Sequence, residues 1–308
     1  MLLESLFEQS PPWISGDAPD GDIVVCSQCS VGRNLSDFPF PSRCSDEEKR
    51  SVERRVLEVL DGLDLLKTGR YYSLSDLSSK EARLLAERRL ITYRLMTGQG
   101  PRGVYVSSDQ GLSIMVNGLD HLCIRVLHPG QRLEEAWSRL TMMDDLLSNT
   151  MDLAYDERLG FMTSSLENLG TGLKASLLLH LPTLAQSSGL KAEVERAARE
   201  RLVLRGVRVG AAGGEPGSED AVFQRDEGQA LYSDMKGALH CALGESKGDL
   251  YLLVNRGGLG CSEEEFLYQL RQTGKDIVDA EREARRLMME EAHPAVGDRV
   301  GRARGIAG

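Results

Sequence analysis

The spacing of hydrophobic residues predicts a mixture of helices and strands along most of the chain. Ser45 followed by Asp46-Glu-Glu48 is typical of a helix start, and Val52, Val56 and Val59 continue it at helical spacing. Further helices are predicted at 80–90, 131–149, 171–182, 191–200 and 262–291, and a short amphipathic one within residues 1–20, ahead of a proline-rich turn. Strand-like runs predict strands at 22–31, 103–107, 111–117, 121–127, 201–209 and 249–254.

This order of elements indicates the fold class. Strands and helices are mixed without a regular β-α alternation, which favours an α+β fold with a largely antiparallel sheet flanked by helices. Residues 21–292 are expected to form one domain, preceded by the lead-in 1–20 and followed by a frayed tail at 293–308. Glycine, alanine, serine and acidic residues dominate 210–237, so the region 210–248 is predicted to be an inserted mobile loop.

Charge and hydropathy narrow the class of protein. The 308 residues carry a net charge of −10, which argues against a general nucleic-acid binder. No apolar run is long enough for a membrane span. The N-terminus contains Glu4 and Glu8 and no basic segment before an apolar one, so it does not look like a secretory signal. A cytoplasmic location is therefore expected.

The six cysteines do not suggest a metal centre. Cys26 and Cys29 have the spacing of a zinc knuckle, but they fall in a predicted strand, where they would face opposite sides of the sheet. A second Cys-x-x-Cys pair, which structural zinc sites usually use, does not follow. Buried thiols are favoured over zinc or redox chemistry, and no metal ligands are predicted.

One stretch carries most of the functional information. It reads Gly160-Phe-Met-Thr-Ser-Ser-Leu-Glu-Asn-Leu-Gly-Thr-Gly-Leu-Lys-Ala-Ser-Leu-Leu-Leu-His-Leu-Pro182. This resembles the central motif of the bacterial protein-arginine kinases, in the ATP:guanido phosphotransferase family, which is written G-Y-L-T-S-C-P-T-N-x-G-T-G-L-R-A-S-V-x-x-H-L-P. Ser165 stands at the family's cysteine, Leu166 at its proline and Lys174 at its arginine.

The resemblance extends from Ile23 to about Arg304 and implies a guanido-kinase fold. It also implies transfer of a phosphoryl group from ATP, with Mg, to arginine residues of proteins. The family acts with an activator and with the Clp ATPase–protease system. It continues, beyond the place of Gly308, into a helical domain that recognises phosphoarginine and that this chain is expected to lack.

The first phosphate-binding element of the family, S-S-R-x-R, is altered here. The corresponding residues are Cys26-Ser-Gln-Cys-Ser30, so Gln28 and Ser30 replace two arginines on one strand face. Losing two charge-assisted contacts of ~1.5–3 kcal/mol each would cost ~3–6 kcal/mol of phosphate binding. Arg33 is retained, but its odd offset places it on the other face, where a structural ion pair is expected.

The family's catalytic element, N-E-E-D-H-x-R-I, is altered as well. Gly118 and Leu119 replace the glutamates that position the guanidinium and supply the base, and Cys123 replaces the arginine. Asp120 could act as a base, although a structural role in the turn is favoured. His121 is expected to be a packed, hydrogen-bonded histidine.

The remaining phosphate positions are partly retained. Arg89 takes the place of a family histidine, and Arg205 with Arg208 either faces phosphate or supplies surface charge. The turn Asn168-Leu-Gly-Thr-Gly172, before the predicted helix at 171–182, suggests amide donors for an anion. The resemblance assigns nucleotide binding to these residues: Ser27, Gln28, Ser30, Arg89, Cys123, Lys174, Ala175, Ser176, Arg205, Gly206 and Arg208.

These changes favour a degenerate arginine kinase with a binding or regulatory role in protein quality control, in which ATP and Mg binding is weak or lost. The alternative is a divergent active phosphotransferase that phosphorylates arginine in proteins, with Asp120 as base and Ser165 at the cysteine position. A third hypothesis is reuse of the fold for another anion.

Partners are expected to be an active arginine kinase, its activator or the Clp system, with neither nucleic acid nor membrane. The helix 276–291 is a candidate contact surface, with Leu287, Met288 and Met289 as apolar anchors. Ordinary packing of these three residues against the sheet is the alternative. The acidic segment 210–237 could also fold over Arg205 and Arg208, or be a tolerated surface insertion.

Overall fold

The computed structural model describes residues 10–14, 16–207, 246–258 and 260–290. Most of the predicted N-terminal helix, the predicted loop 210–237, Arg208 and the tail 293–308 lie outside these ranges. Within the described lead-in, Pro12–Ile14 form a single 3-10 turn.

An eight-stranded antiparallel sheet forms the centre of the molecule. Its strand order is β2-β3-β4-β5-β1-β8-β10-β9. The strands are β1 (Val24–Arg33), β2 (Arg70–Ser73), β3 (Gly103–Val106), β4 (Leu112–Val116), β5 (Leu122–Pro129), β8 (Leu173–His180), β9 (Leu202–Gly206) and β10 (Leu250–Asn255). A separate hairpin pairs β6 (Tyr155–Asp156) with β7 (Gly160–Phe161). The predicted α+β class with an antiparallel sheet is confirmed.

Six α-helices accompany the sheet in the described part of the chain. They are α1 (Asp46–Gly62), α2 (Ser79–Glu87), α3 (Tyr93–Thr97), α4 (Leu133–Ser148), α5 (Gly189–Arg199) and α6 (Glu263–Glu290). Both α1 and α2 begin with a complete capping box, formed by Ser45 with Glu48 and by Ser78 with Glu81. The predicted start of α1 at Ser45 is thereby confirmed. Among these described helices, none combines the length and hydrophobicity that a bilayer crossing requires.

The prediction of a helix at 171–182 is wrong, because this segment contains β8, one of the central strands. Leu173, Ala175, Leu177 and Leu179 enter the main core, and Leu178 packs on the opposite face of the sheet. A strand buried on both faces loses its two-residue alternation of hydrophobic and polar positions, so its pattern is hard to tell from that of a buried helix.

The main core lies between one face of the sheet and helices α1, α4, α5 and α6. The opposite face is covered at one end by α2 and α3, and elsewhere by a small cluster around Trp13. Cys29 belongs to the main core and Cys26 to the Trp13 cluster, which confirms that they face opposite sides. Burial raises the pKa of the Cys29 thiol, so it stays protonated.

A buried carboxylate holds α6 against the sheet. Glu281, with a fully buried side chain, accepts hydrogen bonds from the backbone N–H groups of Thr183 (3.1 Å) and Leu184 (2.9 Å), just after β8. It also accepts from Arg285 Nε at 2.8 Å. Arg285 is therefore committed to a contact within the chain.

Candidate functional site

Most of the predicted phosphate positions share the face of the sheet opposite the main core. We call this the polar face and define it by Gln28, Ser30, Arg125, Lys174 and Ser176. Side-chain alternation places them together, because β1 contributes its even-numbered residues, β5 its odd-numbered ones and β8 its even-numbered ones. Their strands are neighbours in the order β5-β1-β8.

Two other predicted positions point away from this face. Ser27 is fully buried, and its hydroxyl donates to the Gly130 carbonyl at 2.7 Å and accepts from Arg132 N at 3.0 Å. Ala175 belongs to the main core. In this structure, neither side chain is placed to contact a ligand on the polar face.

Strand register brings three polar side chains into one row. Ser30 pairs with Arg125 of β5 on one side and with Lys174 of β8 on the other. The Ser30 hydroxyl donates to the Lys174 carbonyl at 3.3 Å. The next row places Gln28 opposite Ser176 and Leu127. The polar face therefore has a local concentration of hydrogen-bonding groups.

Arg89 reaches the polar face from the end of α2, with an unusual backbone conformation. Its φ of 60° lies in the left-handed region, which costs a side-chain-bearing residue about 1 kcal/mol or more. Arg89 Nη2 donates to Gln28 Oε1 at 3.0 Å, and the Arg89 carbonyl accepts from Arg125 Nη1 at 2.8 Å. Arg89 thus contacts Gln28 through its side chain and Arg125 through its backbone carbonyl.

Arg125 was not predicted from the sequence. It lies two residues beyond Cys123 on β5, so both side chains face the same side of the sheet. Cys123 pairs with Gly32 and Met115 and packs at the edge of the α2–α3 cluster. The sequence did offer one signal for Arg125, namely its position two residues after Cys123, where the family pattern has an arginine. Which residue lies opposite Arg125 in the sheet, however, depends on the strand register.

The described strands bring no carboxylate to the polar face. None of the eight strands of the sheet, with the bounds given above, contains Asp or Glu. Within the described ranges, no group of acidic, histidine and cysteine side chains is arranged to hold a metal ion. Gln28 and Ser30 also fall short of the arginine pair that ATP with Mg would require. The described residues of this face thus offer cations and neutral hydrogen-bonding groups to an anionic ligand.

Arg205 lies far along the sheet from the polar side chains around Ser30. It pairs with Leu252, which pairs with Leu178 on β8. With strands ~4.8 Å apart, ~3.3 Å per residue and a four-residue offset along β8, roughly 23 Å of sheet separates the Cα atoms of Arg205 and Arg125. Gly206 ends β9, next to Arg205. A single phosphate group therefore cannot contact both Arg205 and Arg125.

Gly118 and Leu119, the predicted positions of the family's glutamates, lie in the turn between β4 and β5. A Cβ atom on Gly118 would meet only Leu95 Cδ1, at 3.5 Å, so packing does not prevent a larger residue there. Gly118 and Leu119 are both half-buried. Neither residue offers a group that can accept a proton.

Asp120 is engaged in holding the fold together. Its carboxylate is buried, and Oδ1 accepts from Asn34 Nδ2 and from the backbone N–H of Ser164, both at 2.7 Å. Burial raises the pKa of Asp120, and these hydrogen bonds oppose part of that effect. The Asp120 carboxylate joins the end of β1 to the segment that contains Ser165.

His121 has a similar structural role. Its Nδ1 accepts from Leu35 N at 3.1 Å, its backbone N–H donates to Asn34 Oδ1 at 2.9 Å, and its ring contacts Phe38 edge-on. Desolvation lowers the pKa of His121 to about 4, so the imidazole is neutral at pH 7. The expectation of a packed, hydrogen-bonded histidine is confirmed.

Ser165 lies in the turn after β7. Its carbonyl accepts from Thr163 Oγ1 at 2.8 Å and from Asn168 N at 3.0 Å. The turn 168–172 leads into strand β8, so no helix N-terminus provides amide donors there, and the predicted helix-based anion site is wrong. Gly172, with a φ of +68°, is required because a Cβ atom would lie 2.4 Å from Arg33 Nη1.

Arg33 forms the predicted ion pair on the core side of the sheet. Its Nε and Nη2 donate to Asp144 Oδ1 and Oδ2 of α4 at 3.0 and 2.7 Å. Nη1 donates to the carbonyls of Gly32 (2.9 Å) and Thr171 (3.0 Å), and the guanidinium stacks 3.6 Å from the centre of the Phe161 ring. Arg33 is therefore a structural residue.

Comparison with known proteins gives a consistent family assignment. Residues 51–219 match the model of the ATP:guanido phosphotransferase C-terminal catalytic domain. A protein-arginine kinase of Halothermothrix orenii is 32% identical over 295 residues, which cover 96% of this chain and 75% of the relative. One from Brevibacillus brevis is 32% identical over 309 residues, covering 99% and 78%.

Solved structures show the same fold at lower identity. Lombricine kinase aligns with a TM-score of 0.64 and 21% identity, over 92% of this chain and 71% of its own. The duplicated taurocyamine kinase of Schistosoma mansoni, with bound transition state analog components, aligns with a TM-score of 0.65 and 21% identity. That match covers 85% of this chain, which spans only 33% of the duplicated enzyme.

Proposed function

Because this chain belongs to the ATP:guanido phosphotransferase family, we propose that it is an arginine-kinase-like protein that binds an anionic ligand or a partner without efficient phosphoryl transfer. The proposal rests on the residues found in the turn between β4 and β5. Gly118 and Leu119 stand where the family has carboxylates, and both hydrogen bonds to Asp120 Oδ1 come from structural groups.

In this proposal, one requirement of the reaction is unmet and a second is only partly met. A guanidinium must be oriented and deprotonated by a carboxylate before it attacks the terminal phosphoryl group. The transferring phosphoryl group must also be held by several charge-assisted contacts. The first fails at Gly118 and Leu119, and the second is weakened at Gln28, Ser30 and Cys123.

A divergent active enzyme is the second candidate, and one observation favours it. Arg89, Arg125 and Lys174 still supply positive charge to the polar face, so phosphate attraction is not abolished. In that case Asp120 would have to act as the base, although it is buried and lies within a hydrogen-bond network.

We predict weak binding of ATP with Mg. The loss of two or more arginine contacts lowers affinity by a factor on the order of 10² to 10⁴, which leaves a Kd on the order of millimolar. Isothermal titration of the full chain should therefore give little heat below that range, with the Brevibacillus brevis relative as the positive control. Micromolar binding by this chain would favour the active enzyme.

The named relatives suggest a protein as the partner, and we propose an active arginine kinase, its activator or the Clp system, in the cytoplasm. Leu287 and Met289 near the end of α6 are exposed, at 47% and 71%, which supports this helix as the contact surface. Arg286 lies beside them and pairs with Glu283 and Glu290 of the same helix.

A pull-down from the native host should recover such a partner, and the variant L287S/M289S should lose it. Arg285 is unsuitable for charge reversal because it binds the buried Glu281. Arg83→Glu, on the exposed side of α2, is the matched control and should retain the complex. Recovery of none of the three partners, or retention of the complex by L287S/M289S, would contradict this proposal.

A further inference from the structure

The sheet ends at β2, and no strand in the described ranges pairs with the outer edge of β2. Leu74 N donates to the Arg102 carbonyl at 3.0 Å, in register with the β2–β3 pairs. Hydrogen-bonded pairs alternate along an antiparallel ladder, so the N–H and C=O groups of Tyr71 and Ser73 point away from β3. The Ser73 carbonyl accepts from Asp76 N at 3.1 Å. Both groups of Tyr71 and the N–H of Ser73 therefore face outward along this edge.

Two cavities adjoin this edge. One, of about 130 Å³, is lined by all four residues of β2 together with Asp76 and Leu77. The other, of about 200 Å³, lies between the C-terminal part of α1 and strands β2 and β3, and we call it the α1 cavity. Tyr71 packs against the main core on the α1 side, whereas Tyr72 packs against the α2–α3 cluster. An added strand would run through the first cavity and direct every second side chain towards the α1 cavity.

The walls of the α1 cavity are apolar and aromatic. They are formed by Leu57, Leu60, Leu66, Tyr71 and Tyr105. The Tyr71 hydroxyl donates to Glu53 Oε1 at 2.5 Å, and the Tyr105 hydroxyl donates to the Leu66 carbonyl at 2.7 Å. Because these contacts engage both hydroxyl groups, the cavity offers a ligand mainly leucine side chains and tyrosine rings.

Asp61 gives this cavity its charge. It lines the cavity near the end of α1, is exposed, and has no ion pair within the described ranges. Lys67, the other charged residue of the lining, is paired with Asp64. A guanidinium or ammonium group is attracted both by a carboxylate and by the faces of aromatic rings, and its aliphatic stem packs on leucine. The α1 cavity is thus complementary to an arginine or lysine side chain.

The size of the α1 cavity suits one side chain. Pockets that hold a whole small molecule usually measure about 300–1,000 Å³, which is more than the space available here. An extended peptide can present a single side chain to such a cavity while its backbone pairs with a sheet edge. In this mode the main-chain hydrogen bonds supply affinity and the cavity supplies specificity.

We propose that β2 binds an extended segment of a partner protein, which adds to the sheet as a strand and places an arginine or lysine side chain in the α1 cavity. β2 has four residues and begins with Arg70, and both shortness and charge limit indiscriminate pairing at an edge. Recognition therefore depends on the side chain in the cavity. This surface belongs neither to the polar face nor to α6, so the inference does not rest on the proposed function.

A peptide titration of the full chain tests the surface. The probe is the peptide Thr-Val-Arg-Val-Thr, with a fluorescent label at its N-terminus and an amidated C-terminus, and binding is followed by fluorescence anisotropy at constant low ionic strength. We expect saturable binding, and a peptide with glutamate in place of arginine should bind at least about fivefold more weakly. No saturable binding of the arginine peptide, or equal binding of the glutamate peptide, overturns the proposal.

Asp61→Asn tests the role of the cavity carboxylate. It should weaken binding of the arginine peptide about three- to fivefold, as expected for the loss of one exposed charge contact. Glu58→Gln is the matched control, because Glu58 is exposed on the same helix and does not line the cavity. Thermal unfolding checks that both variants are folded. Wild-type affinity in Asp61→Asn, or equal weakening by the two variants, overturns the assignment of Asp61.

Two further peptides test strand addition without any change in the protein. One is N-methylated on both valines, and the other on the arginine and the last threonine. Since alternate N–H groups of a strand point in opposite directions, only one of these sets can face β2. One peptide should therefore lose about tenfold or more in affinity while the other retains it. Equal affinities of the two methylated peptides overturn strand addition.

Other occupants of this edge give different results. Acetylarginine amide that binds as tightly as the peptide would assign the α1 cavity to a small molecule, and it overturns the proposal. A dimer of this chain that forms through β2 and excludes the peptide, measured by analytical ultracentrifugation with and without peptide, overturns it as well. Phosphoarginine formation by this chain would contradict the proposed function and leave the peptide result standing.

Discussion

Replacing Arg33 with methionine is expected to lower the free energy of unfolding by about 3–5 kcal/mol. The substitution removes both hydrogen bonds to Asp144 and leaves that mostly buried carboxylate without its cation. It also removes the donor to the Gly32 and Thr171 carbonyls and the stacking on Phe161. Urea denaturation followed by circular dichroism measures the change.

A second substitution separates the ion pair from the other contacts. Replacing a buried pair by apolar residues of similar size is often close to neutral, so R33M/D144L should recover part of the loss. Arg83→Met is the control, because its pair with Glu87 is exposed and should contribute about 0.3–0.5 kcal/mol. A loss below about 1 kcal/mol in Arg33→Met would show that Arg33 does not organise this region.

The role of Arg33 could be predicted because it depends on local geometry alone. Successive side chains of a strand alternate between faces, so an arginine three residues after Ser30 must face away from it. The same rule separated Cys26 from Cys29. The helix start at Ser45 likewise follows from short-range capping contacts.

Elements that depend on distant parts of the chain were harder to predict. The segment 171–182 is rich in leucine and follows a glycine-containing turn, which is compatible with a helix or a central strand. Only pairing with β1 and β10 makes β8 a strand. The short strand β2 was not predicted for the same reason. It forms by pairing with β3, which lies some thirty residues later in the chain.

The same limit applies to the candidate site. The family pattern identifies the lost arginine at Cys123, but the placement of Arg125 beside Ser30 is a matter of β1–β5 register. The strained backbone of Arg89 and its bonds to Gln28 and Arg125 also require the tertiary structure. The sequence predicted which residues depart from the family pattern, whereas the position of Arg125 opposite Ser30 follows only from the fold.

The catalytic consequence of these changes is expected to be complete loss of measurable arginine phosphorylation. General acid–base catalysis alone contributes a factor of about 10² to 10⁴, and weakened phosphate contacts reduce transfer further. The variant Asp120→Asn is a sharp control, because its Oδ1 can still accept from Asn34 and from Ser164 N, whereas its amide cannot act as a base.

The most direct test is mass spectrometry of a basic protein substrate incubated with ATP, Mg and this chain, under conditions that preserve the acid-labile P–N bond. The Brevibacillus brevis relative serves as the positive control. We predict that the wild type and Asp120→Asn both leave phosphoarginine at background. Phosphoarginine formed by the wild type and absent with a folded Asp120→Asn variant would contradict the account and identify Asp120 as the base.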